Sequence, residues 1–100
     1  MTAYTMDDDT IVKTEDAVAT WDEYIFNHES TRFSVATGNS TDHQRLHRSS
    51  QGRYWLEYWS DGNAGQHAKY ISNIQALRWL FNNRGTVPDD LKNHENRTRE

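Results

Sequence analysis

The segment from Gly52 to Gly85 constrains the fold of this chain more than any other part of the sequence. It contains an aromatic-rich run at 53–60, a turn sequence at 61–65 and a second short run at 67–71. Runs of aromatic and β-branched residues that are bounded by turn residues are typical of strands joined in a hairpin. The segment therefore predicts two antiparallel strands followed by a helix.

The helix is predicted by signals at both of its ends. Ser72 is followed three residues later by Gln75, which is the spacing of a capping box. Gly85 stands where a C′ glycine is expected, and Pro88 lies beyond it. These signals predict a helix over 73–84. Its apolar face is formed by Ile74, Leu77, Leu80 and Phe81.

Upstream of this segment the pattern is less uniform. Short strands are predicted at 10–13, 32–36 and 43–49, with turn residues between the last two. Residues 15–26 are ambiguous, because the spacing of their apolar residues favours a helix while their aromatic and β-branched content favours a strand. We favour the helix there, with the strand as the alternative.

The domain organisation follows from length and composition. One hundred residues are enough for one domain. Residues 1–9 and 92–100 are polar and charged, and we expect two disordered tails around a single domain at 10–91. The predicted fold class is α+β: an antiparallel meander of three or four strands with the C-terminal helix packed on one face, preceded by a short N-terminal helix or strand.

Composition also narrows the classes of function. The chain has no cysteine, which excludes disulfides and thiolate metal sites. No apolar run reaches the length of a membrane span, and the first residues do not form a secretory signal, so we expect a cytoplasmic protein without membrane contact. Residues 1–24 carry a net charge of −6 and residues 25–85 a net charge of +3. The acidic segment is a solvated tail in one interpretation and masks the basic middle in the other.

Alternation along the aromatic strand separates two faces. Tyr54, Leu56 and Tyr58 point to one face and carry no formal charge. We expect this face to lie under the helix, together with Leu46 and Tyr70. The opposite set is the predicted interaction surface: Arg53, Trp55, Glu57 and Trp59. The rings of that surface are either buried by an N-terminal segment or left open for a partner, which includes a second copy of the chain. The covering segment would contribute Trp21, Ile25, Phe33 and Val35.

No arrangement of residues predicts catalysis. The sequence has no nucleophile elbow, no phosphate-binding loop and no dinucleotide fingerprint. His43 and His47 share a strand face and His67 lies on another strand, but their spacing matches no metal-site motif. We therefore predict a protein that is not an enzyme, with no catalytic residues, no metal and no cofactor.

Nucleic-acid binding is the alternative function, and it depends on three basic residues of the sheet, Arg45, Arg53 and Lys69. The segment 52–80 resembles integrase arm-binding domains and sheet-plus-helix domains of plant transcription factors. The resemblance is carried by Gly52-Arg53-Tyr54 and by Ser72, Ala76, Trp79 and Leu80. It implies a three-stranded sheet that reads DNA, whereas the acidic net charge of −4 departs from those domains.

A second resemblance covers residues 10–91. The pattern is similar to that of a group of small uncharacterised bacterial proteins, and it implies a bacterial or mobile-element origin without indicating an activity. The positions that carry the resemblance are Ala36-Thr37-Gly38-Asn39, His43, Leu46, Ser49, Gly52-Arg53-Tyr54-Trp55, Ser72, Gln75-Ala76, Trp79-Leu80 and Val87-Pro88-Asp89-Asp90-Leu91. Asn39 and Gln75 depart from the pattern, which has serine and glutamate there. The function predicted first is a protein-interaction or regulatory module. A phage or plasmid inhibitor of host defence, which acts by binding a protein, is a further alternative.

Overall fold

Strands dominate the computed structural model, which describes residues 2–62 and 65–92. The fold is α+β, as predicted. A 3₁₀ turn at Thr14–Asp16 interrupts the strand-rich first half. The strands are β1 (Ala3–Thr5), β2 (Ile11–Lys13), β3 (Ala19–Asp22), β4 (Ile25–His28), β5 (Thr31–Ser34), β6 (Asp42–Arg48), β7 (Tyr54–Ser60) and β8 (Gln66–Ile71). The helices are α1 (Asn73–Asn82) and α2 (Asp89–Lys92).

A four-stranded antiparallel sheet forms the centre, in the order β3-β6-β7-β8. The register pairs Trp21 with Leu46, Leu46 with Leu56, and Leu56 with Lys69. Since paired residues project to the same face, these four define the face toward α1. The strands predicted at 43–49, 53–60 and 67–71 are all present within a residue or two of their expected ends.

The main core lies between this face and the helices, and the predicted face of β7 is confirmed for Tyr54 and Leu56. Both are buried against Leu46. The helices complete the cluster with Ala76, Leu77, Trp79, Leu80 and Leu91. Burial of each leucine stabilises the fold by roughly 1.5–3 kcal/mol. Tyr58 is only half-buried, and Tyr70 is opposite Trp55 on the other face, so the expectation that Tyr70 joins this core is wrong.

Helix α1 begins as predicted and ends slightly differently. Ser72 Oγ accepts the Gln75 N–H at 3.1 Å, and Gln75 Oε1 accepts the Ser72 N–H at 2.8 Å, which completes the capping box. At the other end Arg84, at φ 59°, takes the left-handed C′ position. Gly85 is the next residue and donates its N–H to Leu80 O at 2.9 Å, which forms a Schellman motif. A Cβ on Gly85 would lie 2.5 Å from Leu80 Cδ2, so glycine is required there for close packing.

The predicted helix over residues 15–26 is wrong. Only the short 3₁₀ turn at Thr14–Asp16 forms, and the chain then enters β3 and β4. Strand β3 pairs along β6, and β4 pairs with β5 in a separate hairpin. Because a sheet edge is available to pair with β3, the β propensity of the Thr and Trp residues there prevails over the helical spacing.

The predicted disordered tail at 1–9 is also wrong for residues 2–9. Ala3–Thr5 pairs with Ile11–Lys13, and a turn joins the two strands. Tyr4 and Met6 are buried in a second small cluster with Trp55. The second predicted tail, 92–100, lies outside the described residues except for Lys92, which ends α2.

The remaining connections hold α2 in place. Tyr54 Oη donates to the Asp90 carboxylate, with its nearer oxygen at 2.9 Å, and Leu91 is fully buried.

Residues 63 and 64 of the predicted turn at 61–65 lie outside the described residues. Among the described residues, no helix is both long enough and apolar enough to cross a membrane.

Candidate functional site

The structure separates the four residues of the predicted interaction surface. Trp55 and Glu57 are 1% and 4% exposed, so their assignment to an open surface is wrong. The hairpin β1–β2 covers both of them, and it does so in place of the segment expected to bury the rings. Trp59 is half-buried and Arg53 is exposed. Only these two remain available to a partner.

A buried polar network surrounds Glu57. Tyr4 Oη donates to Glu57 Oε2 at 2.5 Å, and His47 Nε2 lies 3.0 Å from Oε1. The other ring nitrogen of His47 lies 2.9 Å from Thr20 Oγ1. The His47 ring also stacks on Trp55, with 4.2 Å between centroids. The network satisfies a carboxylate that would otherwise be costly to bury.

Burial shifts the pKa values of two titratable groups in this network, His47 and Tyr4. It lowers the pKa of His47, although the neighbouring Glu57 carboxylate acts in the opposite direction. Burial also raises the pKa of Tyr4, and the bond to Glu57 adds to that effect. At neutral pH the phenol and a neutral imidazole both donate to the carboxylate, and the groups have no solvent-facing position from which to bind a substrate.

Trp59 has a different environment at the end of the sheet where β7 finishes and β6 begins. The His43 ring stacks on it at 5.7 Å between centroids, and the Arg45 guanidinium lies 5.2 Å from its centroid. Arg45 is itself held by Asp22, with Nε 2.8 Å from Oδ1. The indole is therefore held by two side chains of β6 while part of it stays open to solvent.

His43 is held on both ring nitrogens. Nδ1 lies 2.6 Å from Glu23 Oε2 and Nε2 lies 3.0 Å from Asp61 Oδ1. The hydrogen bond to Glu23 is the largest of the influences that raise the pKa of His43. Glu23 also accepts from Ser34 Oγ and from the Gln44 N–H, both at 2.7 Å. An imidazole whose two ring nitrogens both contact carboxylates is a fixed structural group.

A groove of about 720 Å³ opens beside Trp59. Its walls combine aromatic, histidine and polar side chains, a mixture typical of surfaces that bind a partner. The residues that matter here are Thr37, Asp42, His43, Tyr58, Trp59 and His67. Asp42 accepts from Ser60 Oγ and from Asn39 Nδ2, so its carboxylate is already satisfied.

A second exposed feature belongs to the hairpin β4–β5, which leaves the sheet at the same end. Phe26 and Phe33 are direct neighbours across this hairpin, and their rings stack at 5.5 Å. Phe26 is 40% exposed. Phe33 is one of the residues predicted for the covering segment, whereas Phe26 is not a predicted site residue. The aromatic and β-branched residues at 24–26 favour a strand there, and the prediction of a helix over that region concealed this signal.

The three basic residues proposed to contact nucleic acid do not form one surface. Arg45 and Arg53 lie on the face away from α1, whereas Lys69 lies on the face toward it. Arg45 pairs with Asp22. Arg53 Nη1 lies 3.1 Å from Asp8 Oδ2, and its guanidinium lies 3.4 Å from the centroid of the Tyr70 ring. Two of the three cations are therefore already neutralised within the chain.

The histidines are also dispersed. His67 stacks on Tyr58 on the helix-side face, while His43 and His47 lie on the other face, so the three do not converge. Within residues 2–62 and 65–92, no group of three or more potential ligands is arranged to hold a metal ion.

Comparison with known proteins finds no matching family model, curated protein or solved structure.

Proposed function

We propose that this chain is a non-enzymatic protein-interaction module that binds a protein partner at the end of the sheet around Trp59. The contact surface consists of Trp59, the His43 and Arg45 side chains that hold it, and the adjacent groove. The exposed Phe26–Phe33 pair extends from the same end of the sheet and enlarges this surface.

The single observation that carries the proposal is the environment of Trp59. The side chain is half-buried, it contacts the side chains of His43 and Arg45 from the neighbouring strand β6, and it borders a groove. Tryptophan and arginine are enriched among the residues that dominate binding energy at protein interfaces. A ring that is already immobilised loses little entropy on binding, which favours affinity.

The charge arrangement favours a protein partner over nucleic acid. Binding to phosphates gains its free energy from unpaired lysine and arginine side chains that replace counterions. Here Asp22 pairs with Arg45, and Asp8 pairs with Arg53. A phosphate would have to displace a carboxylate at each position. Nucleic-acid binding therefore remains the weaker alternative, supported mainly by the exposed Lys69.

The titratable groups at the groove also favour binding over catalysis. A general base needs a free lone pair directed at the substrate. His43 has both nitrogens engaged by carboxylates, and each carboxylate oxygen of Asp42 already accepts one hydrogen bond, from Ser60 Oγ and from Asn39 Nδ2. These groups hold the shape of the groove, which is the role expected of them in a binding surface.

The proposal is tested by quantitative capture from extracts of cells that encode the chain. We compare the natural chain with Trp59→Ala and with Val18→Ala, whose side chain is 56% exposed near the opposite end of the sheet. A specific protein recovered with the natural chain and with Val18→Ala, but lost with Trp59→Ala, supports the proposal. Recovery that is equal with all three chains contradicts it.

Two further measurements separate the alternatives. Fluorescence anisotropy with a random DNA duplex at low salt tests nucleic-acid binding, and binding that weakens steeply with salt would favour that function instead. Sedimentation of the purified chain shows whether the partner is a second copy. If the captured protein belongs to a host defence system, the module acts as an inhibitor of that system.

A further inference from the structure

The N-terminal hairpin, residues 2–13, lies on the central sheet without joining it. Strands β1 and β2 form their own two-stranded sheet, and neither is a neighbour of a central strand. The backbone bonds in the described structure that involve its connecting turn, such as Met6 N–H to Thr10 O at 2.8 Å, stay within the hairpin. The hairpin is therefore attached through side chains and through the connection at 14–18.

The side chains of Tyr4, Met6 and Asp8 make this attachment, and Val12 packs against the same cluster. Tyr4 packs edge-on against Trp55 at 6.0 Å between centroids and donates its hydroxyl to Glu57. Met6 is 3% exposed in the same cluster. At the turn, Asp8 forms the ion pair with Arg53, and both partners are about half-exposed. An isolated two-stranded hairpin is marginally stable at best, so these contacts also help maintain the hairpin itself.

The face beneath the hairpin combines aromatic and charged side chains in one place. Trp55 and Tyr70 are paired across β7 and β8, and Arg53 lies over the Tyr70 ring. Glu57 accepts hydrogen bonds beside them. Such a face offers an aromatic platform, one acceptor for a hydroxyl group and one cation for a carboxylate. The hairpin occupies all three. The Tyr4 ring packs on Trp55, the Tyr4 hydroxyl donates to Glu57, and Asp8, four residues later, pairs with Arg53.

We propose that residues 2–13 are a cover that opens while the central sheet and α1 remain folded, and that the face beneath binds a protein segment that carries an aromatic residue and a carboxylate, as the hairpin does. The hairpin is the intramolecular occupant of that face and competes with the partner segment. This surface is distinct from the one around Trp59, and neither proposal depends on the other.

Thiol labelling tests the separate opening of the cover, because the chain has no cysteine of its own. Met6→Cys places a thiol under the cover, and Ala76→Cys places one in the main core, where the native side chain is 0% exposed. We expect the first thiol to react roughly tenfold or more faster than the second, with a weaker dependence on urea, as sub-global opening requires. Equal rates and equal urea dependence would show that the cover opens only when the whole domain unfolds, and would overturn the proposal.

Tyr4→Phe provides a matched control for the attachment. It keeps the ring on Trp55 and removes the hydroxyl, with its bond to Glu57 and its longer 3.5 Å contact with Gln66 Oε1. Loss of one such bond should speed labelling at Met6→Cys by about fivefold and leave labelling at Ala76→Cys unchanged. An equal acceleration at both sites would show that Tyr4 stabilises the whole domain and does not hold a separate cover.

A labelled peptide with the sequence of residues 2–13 tests the chemistry of the partner. We compare its binding to the natural full-length chain and to the full-length variant Tyr4→Ala/Asp8→Asn, whose own hairpin is weakened while the receiving face is intact. Circular dichroism verifies that the variant is folded. Binding to the variant should be at least about tenfold tighter, since a larger fraction of it is open. It should fall when Arg53→Ala is added, and when the peptide itself carries Tyr4→Phe and Asp8→Asn. A peptide that binds neither chain, or binds both equally, would overturn the assignment of the partner.

Discussion

Trp55 and Trp59 offer an unusually clean comparison, because the same residue type occurs twice on one strand and on one face. The structure buries Trp55 to 1% exposure between Tyr4 and His47, whereas Trp59 is half-buried at the end of the sheet. We predict that Trp55→Ala strongly destabilises the fold and that Trp59→Ala leaves it nearly intact.

The magnitude follows from burial. Replacing a fully buried tryptophan by alanine costs about 3–5 kcal/mol of unfolding free energy, because the transfer free energy is lost and a cavity remains. Trp55→Ala also removes the ring on which Tyr4 and His47 pack. A domain of this size has a total stability of about 5–15 kcal/mol, so the variant keeps a reduced margin or unfolds. At Trp59 the ring contacts are solvent-facing, and we expect a loss of about 1 kcal/mol or less.

Urea denaturation followed by far-ultraviolet circular dichroism measures both losses without relying on tryptophan emission. With a slope of about 1–3 kcal/mol per molar urea, Trp55→Ala should shift the midpoint downward by at least about 1 M, and Trp59→Ala by much less. Equal shifts would refute the reasoning that the hairpin buries one ring and leaves the other available. If Trp59→Ala alone unfolds the chain, the proposed interaction surface is part of the core.

Three further predictions concern single groups. His43 has a raised pKa in the folded chain, so the stability that it contributes is fully present below pH 6.5 and disappears as the pH rises through the pKa of the folded state. Urea denaturation of the natural chain and of His43→Gln should therefore show a larger loss of unfolding free energy at pH 6 than at pH 9. Ser72→Ala removes the helix cap and should cost about 1 kcal/mol in urea denaturation. Gly85→Ala places a methyl group against Leu80 and should lower the melting temperature by several degrees, whereas Thr86→Ala at the exposed neighbouring position should not.

The central sheet and α1 could be predicted from local signals in the sequence. Alternation identified which residues of β7 pack toward α1, and the Ser72–Gln75 spacing located the start of the helix. These signals report how a segment pairs with its immediate neighbours, which is why they were sufficient for the main core.

The N-terminal hairpin could not be predicted in the same way. Its strands are three residues long, too short for a periodic pattern, and the Asp triplet gives the segment the composition of a disordered tail. It folds because Tyr4 and Met6 meet Trp55, about fifty residues away along the chain. A contact between segments that are distant in sequence leaves no periodicity in either one.

The candidate site could also be predicted only in part from the sequence, because it depends on contacts between distant segments. Alternation placed Trp55 and Trp59 on one face, and that placement is confirmed by their register opposite His47 and His43. Which ring is covered depends on how far the hairpin reaches along β7, and this is a property of the tertiary packing. The pairing of Arg53 with Asp8 likewise joins residues that sequence analysis assigned to different parts of the molecule.

The affinity of the captured protein for the natural chain and for Trp59→Ala tests the central claim most directly. Isothermal titration calorimetry with the purified partner should show that Trp59→Ala binds at least about thirtyfold more weakly, as expected for loss of an interface residue worth about 2 kcal/mol. Val18→Ala should bind like the natural chain. Equal affinity of Trp59→Ala and the natural chain would contradict the proposal that the module binds through the end of the sheet.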